Sequence, residues 1–141
     1  MKSIAIGLVL LFASRHAAAC SYVLFAPEQE FAGTQVVALV SPITISFQPR
    51  QAAAADFKGA FTQTIQWGVL LSWKGPHKSG ETFTTRRTFP KAGACNYFFS
   101  IRDYSAYLFY GRGREPYEFF RPFKPAEVPH HFKCLSEKLA R

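Results

Sequence analysis

The ten residues from Thr64 to Trp73, TIQWGVLLSW, constrain the fold more than any other stretch of the chain. Ile65, Trp67, Val69, Leu71 and Trp73 alternate with Thr64, Gln66, Gly68, Leu70 and Ser72. A period of two sends the first set to one side of a strand and the second set to the other. The chain therefore needs a β-sheet with one buried face. Gly68 interrupts the middle with no side chain to pack, which predicts a bulge or sharp bend, a device that curls a strand around a small barrel.

Other strands can be read on either side. QVVALV (Gln35 to Val40) predicts a buried strand, and ITISF (Ile43 to Phe47) continues it past Pro42 through a bulge. Gln48 to Ala60, with a proline, an alanine run and a glycine, has the makings of one helical turn but reads first as a surface loop. KGPHKSG (Lys74 to Gly80) is turn chemistry, and ETFTTRRTF (Glu81 to Phe89) is the return strand. CNYFFSI and SAYLFYG read as a hairpin about Arg102, Asp103 and Tyr104. Beyond Gly113 the prolines at 116, 122, 125 and 129 exclude a long helix before Cys134 to Leu139. The expectation is an all-β chain, a small five-stranded OB-like Greek-key barrel with short helical segments, wrapped by an aromatic and proline-rich stretch over 114–141.

The first 19 residues read as a secretory signal peptide. Lys2 precedes an apolar run from Ile4 to Ala13, and Ala17 and Ala19 sit at −3 and −1 of a cut before Cys20. That run is about half the ~20 residues a membrane-spanning helix needs. No later stretch is long and apolar enough, so no transmembrane segment is expected after cleavage. Residues 20–141 then form a single domain, secreted or held in the periplasm or cell envelope. Loss of Lys2 and Arg15 with the leader lowers the basic count from 17 to 15 against 9 acids, a net charge of +6. That balance favours an acidic protein or an anionic surface as partner.

Cys20, Cys95 and Cys134 all follow the cut, and an exported chain is expected to form at least one disulfide. Three is odd, so one cysteine is left over or modified. Ala18 and Ala19 suit lipid attachment at Cys20, whereas Ala17 is a poor −3 residue for it. Lipidation would use the Cys20 sulfur and leave Cys95 and Cys134 to pair. His130, His131 and Cys134 have a spacing that a turn could fold round zinc. Adjacent imidazoles beside a cysteine of an exported chain read instead as solvent-facing groups, and no resident metal or cofactor is expected. Arginines at 86, 87, 102, 112, 114 and 121 with nearby tyrosines would suit a base-stacking groove. Export argues against nucleic acid as partner. No Ser-His-acid arrangement, phosphate loop or carboxylate pair is recognisable, so the chain is not expected to be an enzyme.

The order of these features resembles the N-terminal inhibitory domain of tissue inhibitors of metalloproteinases, the netrin-like module. The likeness runs through Cys20-Ser21, Val36 to Val40, Trp73-Lys74-Gly75, Cys95, Tyr107-Leu108 to Gly111, and Cys134, and spans most of residues 20–135. It implies the same five-stranded OB-like barrel. With Arg141 as the last residue, only the first of the inhibitors' two domains is expected. In that family the α-amine and carbonyl of the first cysteine bind the zinc of the target protease, and the next side chain enters its specificity pocket. Here those positions are Cys20 and Ser21, and a Cys20–Cys95 disulfide would hold them. A free α-amine titrates near ~7.7–8.0, which leaves a neutral fraction able to ligate metal. The family's third residue is a cysteine; here it is Tyr22, which deprives Cys134 of the partner the family pattern gives it. The implied function is an exported binding protein directed at a zinc metalloproteinase. The alternative is a secreted or lipid-anchored bacterial envelope module with the same barrel and no inhibitory activity.

Overall fold

The computed structural model describes residues 25–54, 56–90, 101–117 and 122–139. Four strands carry it: β1 (Val36–Gln48), β2 (Phe61–Lys74), β3 (Thr82–Phe89) and β4 (Tyr107–Gly111). All neighbours are antiparallel and lie in the order β3-β2-β1-β4. Three consecutive strands thus meander, and the fourth returns to lie beside the first, which is the Greek-key order. Two short helices complete the described elements, α1 (Pro27–Gly33) and α2 (Pro129–Leu139). Among the described residues the sheet is open and four-stranded. The first arm of the expected 95–111 hairpin lies mostly at 91–100, outside the described residues, and residues 101–106 are not a strand. The second arm is β4, whose far edge is bridged by Phe123: Leu108 N–H donates to the Phe123 carbonyl at 2.6 Å.

The alternation of β2 decides which way the sheet faces. Phe61, Gln63, Ile65, Trp67 and Val69 are buried on the inner face. Phe83 and Thr85 of β3 and Phe109 of β4 join them there. The Trp67 indole N–H donates to the Thr85 hydroxyl at 2.7 Å, so its burial leaves no orphaned donor. Phe83 and Phe109 meet with ring centroids 5.1 Å apart. β1 crosses Pro42 as one strand, and its ladder with β2 slips in register between Pro42 and Thr44. Gly68 lies beside this slip, paired with Ser41, and a Cβ added to it would stand 3.2 Å from Ile43 Cδ1. The expected bulge is therefore carried by β1, with Gly68 making room for the displaced Ile43. The turn after β2 uses Gly75 at φ +111°, and a Cβ there would meet the Gln35 carbonyl at 3.0 Å.

The outer face is divided. In β4 and the first half of β1 almost every residue is buried, because two layers share them. Val36, Ala38, Val40, Tyr107 and Phe109 point into the aromatic core. Val37, Leu108 and Tyr110 point the opposite way and pack with Leu135, Phe31 and Trp73 beneath the helices. Both helices depart from expectation. α1, not expected from the strand pattern, begins with Pro27 at its first turn and acids at Glu28 and Glu30, a helix-start signature. α2 begins at Pro129, five residues ahead of the expected Cys134, since a proline is tolerated at the first helical position. The expected loop at 48–60 contains a short 3-10 turn, Arg50–Ala53. No helix among the described residues is long and apolar enough to cross a membrane.

Candidate functional site

The two helices meet over the β1–β4 half of the sheet, and a buried carboxylate there holds the backbone of Phe25. Glu30 projects from α1 and is 2% exposed. Its Oε1 accepts the Phe25 N–H at 3.1 Å, and its Oε2 lies 3.8 Å from an Arg112 guanidinium nitrogen. Thr34 closes the helix by donating its hydroxyl to the Glu30 carbonyl at 2.8 Å. A buried carboxylate is costly without such partners, so this one commits the start of the described chain to a single position.

His131 is a second buried polar group at this seam. It lies on the first turn of α2 and is 8% exposed. Its Nδ1 is 3.0 Å from the Tyr110 hydroxyl of β4. A neutral ring with its proton on Nε2 accepts from Tyr110 through Nδ1. Burial is the largest influence and pushes the His131 pKa below its ordinary value, against the opposing pull of Glu30. The imidazole is therefore held toward its neutral form.

Cys134 lies on α2, and its thiol is free, donating to Glu28 Oε1 at 3.3 Å. That bond, ahead of burial, raises the thiol pKa, while the Glu28 carboxylate is lowered chiefly by a backbone hydrogen bond and then by this thiol. Lys74 ties the same corner to the sheet. Its ammonium donates to the Phe31 carbonyl at 2.6 Å and sits 5.1 Å from the Phe31 ring, which Lys138 approaches to 4.5 Å from α2. Cations at the C-terminal end of α1 complement the carbonyls exposed there.

Of the residues singled out from sequence, Cys20, Ser21 and Cys95 lie outside the described residues, and with them both expected disulfides. His130, His131 and Cys134 share α2, but the His131 ring is engaged with Tyr110, and Cys134 with Glu28. Among the described residues, no group of three or more His, Cys, Asp or Glu is arranged to hold a metal ion. Glu30 and Tyr110 escaped sequence reasoning. Glu30 was legible only through the helix-start pattern of PEQE, whereas nothing local marks Tyr110 as the partner of a histidine 21 residues away. In comparison with known proteins, no family model matches the chain, and no curated protein sequence matches it.

Proposed function

We propose that the chain is an exported, non-catalytic binding module whose presenting element is the segment beginning at Cys20. Its full architecture, on this reading, is the five-stranded OB-like barrel implied by the resemblance to metalloproteinase inhibitors, with the four-stranded sheet as its larger part. The observation that carries the reading is the hold on Phe25, whose N–H donates to the buried Glu30 carboxylate at 3.1 Å. Phe25 lies five residues past Cys20. At no more than ~3.6 Å per residue, Cys20 is tethered within about 18 Å of a fixed point. A chelating end benefits from such restraint, because a loose terminus loses ordering entropy when it binds.

In the inhibitory form, the Cys20 amine and carbonyl cap the zinc of a metalloproteinase, and Ser21 fills its pocket. A Cys20–Cys95 disulfide would close a loop of about 75 residues, where the chain-entropy model gives roughly 4–5 kcal/mol. The basic surface would favour an acidic target or an anionic surrounding. Two steps test the reading. Intact mass of the mature protein is expected to correspond to cleavage before Cys20 with no added lipid. A diacylglycerol addition would overturn chelation and leave a lipid-anchored envelope module, since an acylated amine does not ligate zinc. Inhibition of a zinc protease is then compared between the native protein and an N-acetylated copy. Loss of inhibition on acetylation supports the reading, and equal potency overturns it.

A further inference from the structure

The turn between β2 and β3 is held more firmly than a solvated loop requires. A cavity of about 460 Å³ opens there, walled by Leu71 and Trp73 at the end of β2 and by Lys74, His77, Lys78 and Ser79 beyond them. Most of these side chains are fixed by partners outside it. Lys74 donates to the Phe31 carbonyl of α1. His77 Nε2 lies 2.8 Å from the Tyr117 hydroxyl, and its ring stacks on Phe83 with centroids 5.0 Å apart. Ser79 donates its hydroxyl to the Leu70 carbonyl at 2.8 Å. Trp73 meets Phe132 of α2 edge to face, with centroids 6.0 Å apart. The walls are thus set in advance, and a small-molecule site gains affinity from that.

The chemistry of the walls is one-sided. Lys74, His77 and Lys78 line the cavity, and no acid does. Glu81, the next acid along the chain, accepts the Lys78 backbone N–H at 2.9 Å. The Lys78 side chain is exposed, and its ammonium makes no ion pair among the described residues. Trp73 adds a second feature. Its indole N–H is buried with no hydrogen-bond partner among the described residues. Buried donors are nearly always paired, as the N–H of Trp67 is with Thr85.

We infer that this cavity binds a small organic carboxylate with an apolar body. The Lys78 ammonium meets the carboxylate, and Leu71 and the Trp73 ring pack on the apolar part. A slight rotation of the half-buried indole offers its N–H to a carboxylate oxygen, so binding pairs a donor that folding leaves unpaired. A metal cation finds no acid among the lining side chains. A polyanion calls for cations strung along a surface, whereas these gather within Lys74 to Lys78 around one concavity. A free acid and the C-terminal residue of a peptide share the required chemistry, and the assay separates them. The site uses neither Cys20 nor Phe25, so it stands or falls separately from the chelating end.

Binding of 3-phenylpropanoate, its uncharged amide and N-acetyl-Gly-Phe to the mature protein is measured by calorimetry. At least one of the two carboxylates is expected to bind saturably below about 5 mM, and the tighter of them names the source. Equal affinities assign the site to the carboxylate and phenyl group that they share. The amide is expected to bind at least about tenfold more weakly, and Lys78→Gln and Trp73→Phe should each weaken the carboxylate roughly three- to tenfold. Lys78 is exposed, so its variant keeps the test valid even where Trp73→Phe melts early. No saturable binding of either carboxylate, or equal binding of the amide, overturns the inference. Unchanged affinity in Lys78→Gln, or in a Trp73→Phe protein that melts as the native one does, overturns it too.

Discussion

The outer face of one sheet serves two regions that could hardly be more different. Over β4 and the start of β1 it is apolar and covered by α1 and α2, with a buried carboxylate, imidazole and phenol at the seam. Over β3 and the rest of β1 and β2 it is bare and made of threonines, serines and glutamines. Ile43, Leu70 and Tyr104 mark the border, where the β1–β2 ladder slips in register. The contrast teaches that the helices are not decoration on a finished sheet. Their half of the sheet depends on them for its cover, and they in turn seat the chain at Phe25.

The sharpest way to break the comparison is to cut into the covered half. Leu135 is fully buried among Val37, Leu108 and Tyr110, so Leu135→Ala should cost about 2–5 kcal/mol in urea unfolding. Glu30→Ala should cost less, about 1–3 kcal/mol, because it strands the Phe25 N–H without removing much apolar contact. The pH dependence follows from His131. Its folded pKa lies below the ordinary 6.5, so the unfolded chain takes up a proton first as pH falls. Stability is then intact above pH 7 and declines as pH drops through 6.5 toward the folded value. Chemical denaturation across pH 7.5 to 5 should show that decline in the native chain and a shallower one in His131→Gln. The smallest effect is expected on the bare half, where Thr64→Val should shift stability by no more than about 0.5 kcal/mol. A large loss there would mean that the face is covered after all.

The two halves were also unequally legible. The bare half announces itself, because strict alternation in TIQWGV and TFTTRRTF separates buried from solvent-facing positions residue by residue. The covered half appears in sequence as the unbroken runs VVALV and YLFYG. Such runs say that both faces are buried without saying what buries them. The helices responsible are short, α1 only seven residues, and both start on prolines that otherwise argue against helix. The seam is long-range by nature. Glu30, Tyr110 and His131 come from three distant segments, and only the packing of α2 over β4 brings them together. Gly68 was readable as a bend, but that the displaced residue is Ile43 on the neighbouring strand depends on pairing, which one strand's sequence does not contain.

The central claim is that the seam, separately from the sheet interior, pins the chain where it leads back to Cys20. Amide hydrogen exchange at Phe25 and Trp67, in the native protein and in Glu30→Gln, tests it most directly. The account predicts that Glu30→Gln speeds exchange at Phe25 by about tenfold or more, corresponding to ~1.4 kcal/mol, and at Trp67 by clearly less. Unchanged exchange at Phe25, or an equal rise at both amides, would contradict it.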